Sequence, residues 1–170
     1  NEIGHEDILV SDLLGSTEKW RNLTPLRFAD YLEADQLLAK VEKKDPFLNE
    51  IGLVLHLGAC SSTMETDASY LVRNNYQYTA SLAHWALNQD IRFVYASSAA
   101  TYGDGGQGMD DKSDDLAAFR PLNMYGYSKH MFDLHAQRNK WFSNITGLKY
   151  FNIYGPNEDH KGETRSLVNK

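Results

Sequence analysis

Tyr125 and Lys129 stand four residues apart in Tyr125-Gly126-Tyr127-Ser128-Lys129, which on a helix places both side chains on one face, about 5–6 Å apart at Cβ. That sets an ammonium beside a phenol. A free phenol titrates near pH 10, too high for a base working near neutrality. A positive charge about 4 Å away, at an effective dielectric of about 20, is worth roughly 4 kcal/mol, or about three pKa units. A tyrosine so placed can take a proton from a hydroxyl or return one to a carbonyl. Ser97-Ser98 ends the apolar run Arg92-Phe93-Val94-Tyr95-Ala96, and Ser98 can hydrogen-bond the same substrate oxygen.

These residues need a helix and a strand to hold them. Pro121-Leu122-Asn123 supplies a turn and a cap, and the amphipathic pattern after it predicts a helix over 124–141. Residues 92–96 predict the strand that delivers the serines. Upstream, 7–12 reads as the first strand, 26–31 as a possible short strand and 33–41 as a helix. Residues 51–57 form a continuous apolar run, as expected of a strand covered on both faces. A helix follows over 64–87, with Asn74-Asn75 in its middle although paired asparagines are poor helix formers. The last clear strand is 148–151. Strands alternating with helices predict an α/β fold built on a doubly wound, Rossmann-like parallel sheet. In such sheets ligands bind beyond the C-terminal strand ends.

Several strand ends carry candidate ligand contacts. Asp12 closes the first strand and is either a solvated terminal acid or an acceptor for an adenosine ribose. Lys19 nearby tilts the preference toward NADP, whose 2′-phosphate it could hold. Gly58-Ala59-Cys60-Ser61-Ser62 follows the apolar run, where small residues either form a tight turn or let a dinucleotide approach the backbone. Asn74-Asn75 either touches cofactor, ties down the serine strand or faces solvent. Gly103-Asp104-Gly105-Gly106-Gln107-Gly108 matches a dinucleotide-binding G-x-G-x-x-G in form only, because Asp110, Asp111, Asp114 and Asp115 would repel a pyrophosphate and no helix pattern begins there. It reads as a loop. With no other glycine fingerprint, the sheet is expected to lack its first strand and glycine loop, so that residues 1–170 form a partial dinucleotide-binding domain.

Composition narrows the classes further. A net charge of −6 without a basic stripe argues against nucleic acid or an anionic membrane as partner. No apolar stretch reaches the roughly 18 residues of a spanning helix. Cys60 is the single cysteine, which suits a reducing cytoplasm. The six histidines show no metal-binding spacing, and no Gly-x-Ser-x-Gly elbow accompanies the serines. Metal catalysis and hydrolysis are therefore not expected.

Ser98, Tyr125 and Lys129 together resemble the serine, tyrosine and lysine of short-chain dehydrogenases, and the long interval between Ser98 and Tyr125 resembles the extended, sugar-nucleotide branch. His56-Leu57-Gly58-Ala59-Cys60-Ser61-Ser62-Thr63, Tyr95-Ala96-Ser97-Ser98-Ala99-Ala100-Thr101-Tyr102-Gly103, Tyr150-Phe151-Asn152-Ile153-Tyr154-Gly155-Pro156 and His160-Lys161-Gly162 sharpen this into a resemblance to the ADP-glycero-manno-heptose 6-epimerase family, running from about Asp7 to Lys161. That resemblance implies Tyr125 as one catalytic base and Lys161 as a second, with Ser98 orienting substrate. It implies Lys129 on the nicotinamide ribose, and Asp12, Leu13, Lys19, Leu57, Gly58, Ala59, Cys60, Ser61, Asn74 and Ile153 on NADP. Asn152 would touch the ADP-heptose substrate. It further implies a homo-oligomer, a pentamer, and a place in lipopolysaccharide core synthesis. The family's glycine loop and substrate domain have no counterpart here, and Ala34 and Glu163 replace expected polar contacts. The chain alone is therefore expected to be inert and the activity to belong to a longer parent. A 4,6-dehydratase is disfavoured because Ala99-Ala100 stand where an acid pair is needed, and a silent binding module because nothing structural demands both Tyr125 and Lys129.

Overall fold

The computed structural model describes residues 4–110, 115–158, 161, 166 and 168. It divides into two compact units, Asn1–Leu48 with Asn152–Lys170, and Asn49–Phe151.

In the first unit, β1 (Leu9–Asp12) pairs in parallel with β2 (Asp30–Glu33), from Leu9 opposite Asp30 to Asp12 opposite Glu33. The second strand thus lies later than the expected 26–31. Glu33 ends it and becomes the N-cap of α1 (Ala34–Glu42), its N–H donating to Gln36 Oε1 at 3.1 Å. Helix α1 accordingly starts one residue after its apolar pattern does.

The second unit carries β3 (Leu53–His56), α2 (Ala68–Leu71), α3 (Tyr78–Asn88), β4 (Arg92–Ser98), α4 (Met124–Arg138) and β5 (Ile145–Tyr150). Its sheet is parallel throughout in the order β3-β4-β5, with Phe93 opposite Ile145 and Ser98 opposite Tyr150. Phe93 and Tyr95 of β4, Leu82, Ala83 and Ala86 of α3, and Phe132 and Ala136 of α4 are buried. The Phe132 and Tyr95 rings meet edge to face at 4.7 Å between centroids. Burying a phenylalanine contributes about 1.5–3 kcal/mol, so this contact fixes α4 over the central strand.

The architecture is α/β and Rossmann-like, with three differences from the sequence pattern. The strands form two sheets rather than one, because no strand among the described residues pairs with both β1 and β3. Leu53 and Leu55 are 49% and 60% exposed, so β3 is an edge strand open on one face instead of covered on both. Strand β5 begins at Ile145 rather than Leu148, since Gly147 interrupts its apolar pattern. A Cβ at Gly147 would sit 2.5 Å from the Tyr95 ring, and the glycine makes room for that ring. The 103–108 loop has Gly103, Gly105 and Gly108 at positive φ, and the described residues that follow it, 109–110, are not helical. No helix among the described residues is long and apolar enough to cross a membrane.

Candidate active site at the end of the three-stranded sheet

Helix α4 starts at Asn123, whose side chain accepts from Gly126 N–H at 2.8 Å. This cap sets Tyr125 in the first turn and Lys129 in the next. Ser98 ends β4, and its hydroxyl oxygen accepts from Ala100 N–H at 3.1 Å, starting the 3-10 turn Ala99–Tyr102. The two segments touch at Gly126, where a Cβ would lie 2.7 Å from the Ala100 carbonyl oxygen. A glycine at that point lets the turn carrying Tyr125 close onto the turn carrying Ser98.

Lys129 is 4% exposed, and among the described residues its ammonium forms no hydrogen bond or ion pair. Burial pushes its pKa down to about 8, opposed by the Asp133 carboxylate one turn further on. His56, at the end of β3, is buried, with Nε2 2.8 Å from Thr79 Oγ1. Thr79 Oγ1 donates to the Asn75 carbonyl at 2.7 Å, so it accepts from His56 Nε2–H. Burial first, and the Lys129 charge second, hold His56 down to about 3, which makes it a neutral core residue.

The Lys129 shift has a sign that can be measured. The unfolded lysine titrates at 10.5 and the folded one at about 8, so between these values the unfolded chain binds more protons and stability rises with pH. The burial cost is in full force below pH 8, where it is of the order of 3 kcal/mol. Lys129→Met is therefore expected to stabilise the chain at pH 7 by a few kcal/mol, and progressively less as pH rises from 8 to 10.5. Urea unfolding at pH 7 and pH 10 measures both; equal gains at the two pH values would contradict a buried charge.

Asn74-Asn75 has a structural answer that the sequence left open. A π-helical turn, Val72–Gln77, interrupts the expected long helix between α2 and α3, and such turns concentrate at functional sites. The wider turn carries Asn75 inward to 1% exposure. There its Oδ1 accepts from Cys60 N–H at 2.9 Å, while Nδ2 donates to the Cys60 carbonyl at 3.0 Å and to Ser128 Oγ at 3.0 Å. Ser128 Oγ donates to the Tyr125 carbonyl at 2.7 Å. One amide thus fixes the 57–61 loop and the Tyr125 turn together. Asn74, the expected cofactor contact, is half-buried and donates to Asn75 Oδ1. In the loop, Leu57 is 56% exposed and a Cβ at Gly58 would meet nothing within 4 Å, so the chain itself imposes no need for a small residue at 58.

A second polar group was not singled out from sequence. Asp133, 1% exposed, accepts from Tyr95 OH and Ser97 Oγ at 2.7 Å each and from Lys149 Nζ at 2.6 Å. Its signal was the continuation of the four-residue spacing from Tyr125 through Lys129.

The other expected contacts lie in the first unit. Asp12 Oδ1 accepts from Leu13 N–H at 2.7 Å and from Lys19 Nζ at 2.9 Å. Lys19 is thus engaged by the acid it was expected to complement. Tyr31 OH donates to the Asp12 carbonyl at 3.0 Å, and burial, then Glu33, push its pKa up to about 12. Asn152 and Ile153 are exposed. Lys161 is exposed, not desolvated, with Nζ 3.8 Å from Glu158 Oε2. Glu158 is buried and accepts from the Gly155 and Ser166 N–H groups and from Ser166 Oγ. His160, Gly162 and Glu163 lie outside the described residues.

Comparison with known proteins places this geometry. Residues 1–170 match the NAD dependent epimerase/dehydratase family. The chain is 47% identical over its whole length to the ADP-L-glycero-D-manno-heptose-6-epimerase of Nitratidesulfovibrio vulgaris strain Hildenborough, covering 52% of that protein. Among solved structures, the ADP-L-glycero-D-manno-heptose-6-epimerase of Helicobacter pylori superposes with a TM-score of 0.74 at 25% identity, over 95% of this chain and 52% of that one. The UDP-glucuronic acid 4-epimerase of Bacillus cereus, solved in complex with NAD, shares the fold with a TM-score of 0.69 at 24% identity, over 89% and 50% of the two chains. The chain spans about half the length of these relatives.

Proposed function

Because the chain belongs to the NAD dependent epimerase/dehydratase family, we propose that Ser98, Tyr125 and Lys129 are the proton-transfer centre of an NADP-dependent nucleotide-sugar epimerase whose complete form has its relatives' length. The substrate is ADP-D-glycero-D-manno-heptose, inverted at C6 to the L-glycero epimer for lipopolysaccharide core synthesis in the cytoplasm, by a homo-oligomer. One observation carries the reading: Tyr125 shares a helix face with a buried ammonium that has no hydrogen-bond partner among the described residues, and its turn is packed onto the one that Ser98 caps. The identity to the Nitratidesulfovibrio protein supports the substrate.

The residues fit a nicotinamide dinucleotide. A buried ammonium with no acceptor among the described residues suits a ribose hydroxyl, and the open backbone at Gly58 suits close approach by a flat, charged ligand. Asp12 offers a ribose acceptor, although a 2′-phosphate would have to draw Lys19 away from it. When bound, the nicotinamide supplies the redox chemistry, removing hydride from the carbinol carbon and returning it. Tyr125, as the phenolate that the Lys129 charge stabilises, takes the proton of the C6 hydroxyl and becomes a neutral phenol. Ser98 Oγ, which uses an oxygen lone pair on Ala100 N–H, keeps its own hydrogen for the substrate oxygen. Asn152 contacts the sugar and Lys161 serves the opposite face as a second base.

A protein of the relatives' length carrying this sequence, given ADP-D-glycero-D-manno-heptose and NADP, should invert C6 without net oxidation, as followed by proton NMR of the heptose. A 4-keto-6-deoxy product would establish a dehydratase instead, and an unchanged sugar would refute the substrate.

A further inference from the structure

Asp133 sits one helical turn beyond Lys129, on the Tyr125 face of α4, with every oxygen engaged. Oδ1 accepts from Tyr95 OH, and Oδ2 accepts from Ser97 Oγ and Lys149 Nζ. Lys149, on β5, also donates to Thr101 Oγ1 at 2.7 Å and lies 5.1 Å from the centre of the Tyr102 ring. Thr101 Oγ1 in turn donates to the Ser98 carbonyl at 2.7 Å. The carboxylate therefore reaches β4 on both sides of Ser98: directly at Ser97, and through Lys149 and Thr101 at the Ser98 carbonyl. A counterion for Lys149 alone would not need the Tyr95 and Ser97 hydroxyls.

Resting on the assignment of Tyr125 and Lys129 above, we propose that Asp133 is the positioning residue of this site: it locks the Ser97-Ser98 end of β4 in place and supplies the negative charge that keeps the buried Lys129 ammonium protonated. The charge balance around Lys129 supports this. His56 on β3 is neutral, and Asp133 is the anion that opposes the burial of Lys129. His130 next along α4 is held low by burial, raised by Asp133 and lowered by Lys149 and by Arg120. Tyr95, also facing Asp133, is driven far above its ordinary value by burial and then by that carboxylate. Lys129 and Asp133 stand i,i+4 on α4, about 5–6 Å apart at Cβ, and the Asp133 carboxylate raises the lysine against its burial, so removal of the charge should move the lysine by about one pH unit or more.

The test needs no cofactor and no turnover. Carbon-13 labelling of lysine side chains in the 170-residue chain, with Lys129 assigned by its loss in Lys129→Met, gives the Lys129 titration directly. The wild-type midpoint should fall near pH 8, and Asp133→Asn should lower it by about one unit or more. Since Asp133→Asn strands a half-buried Lys149, Asp133→Asn/Lys149→Met removes both charges and should lower the midpoint relative to Lys149→Met with the fold retained by circular dichroism. Lys149→Met alone leaves the carboxylate unshared and should hold the midpoint or raise it. A wild-type midpoint in Asp133→Asn, a double-variant midpoint as high as that of Lys149→Met, or a fall in Lys149→Met, overturns the proposal and leaves Asp133 as a counterion for Lys149. NADP calorimetry on a protein of the relatives' length is read separately: failure to bind there counts against the cofactor assignment, while the Lys129 midpoints still decide the role of Asp133.

Discussion

Tyr125→Phe, placed in a protein of the relatives' length, is expected to lower kcat by about three orders of magnitude while NADP affinity stays within about twofold of wild type, the scale of a lost general acid–base group. The substitution removes the phenol oxygen and nothing that shapes the site. The Tyr125 carbonyl still accepts from Ser128 Oγ, Gly126 still packs on the Ala100 carbonyl, and Asn75 still joins that turn to the Cys60 loop. Because the oxygen acts only as the proton moves, kcat and kcat/KM should fall together with little change in KM. Steady-state rates with calorimetric NADP titration measure both quantities. A variant keeping more than about a tenth of wild-type kcat would exclude Tyr125 as the base.

The parts of this site visible in the sequence are those with local signals. An apolar run ending in Ser97-Ser98 gave β4, and Asn123 ahead of an amphipathic pattern gave α4, because cap, turn and periodicity are read from neighbouring residues. Residues whose partners are distant in the chain were not legible. Asn75 looked like a weak spot in a helix, and only the π-helical turn, which has no periodic signature of its own, shows that it bridges Cys60 and Ser128. Asp133 follows Lys129 at helical spacing, yet its meaning depends on Lys149 and Ser97 arriving from two other strands. Lys19 was legible only in part. A cation near Asp12 read as a phosphate ligand, and the salt bridge that joins these two opposite charges seven residues apart was not read from the sequence. The division into two sheets was likewise hidden, since strand patterns report that strands exist and not which ones hydrogen-bond.

Lys161→Met should lower C6 epimerisation by about two to three orders of magnitude if Lys161 is the second base, the range expected for one acid–base group. Inverting a carbinol carbon requires its oxygen to lose a proton in one orientation and regain it in another. Tyr125, held by its carbonyl and by the close packing of its turn, cannot follow the oxygen to both. A second proton carrier must come from another element, and Lys161 is the residue proposed for that part. Glu158 takes the N–H groups of Gly155 and Ser166, Lys161 N–H donates to the Glu158 carbonyl at 2.9 Å, and the ammonium stands exposed beside the Glu158 carboxylate. The Lys161 side chain is exposed, and its backbone N–H is held by the Glu158 carbonyl. Methionine keeps the length of the side chain and removes its proton, so binding of the substrate should persist. A C6 aldehyde analogue of fixed stereochemistry separates the two bases, since Tyr125→Phe and Lys161→Met should each lose one half-reaction and retain the other. Epimerisation at the wild-type rate by Lys161→Met would leave Tyr125 as the only acid–base group and Lys161 as a surface residue.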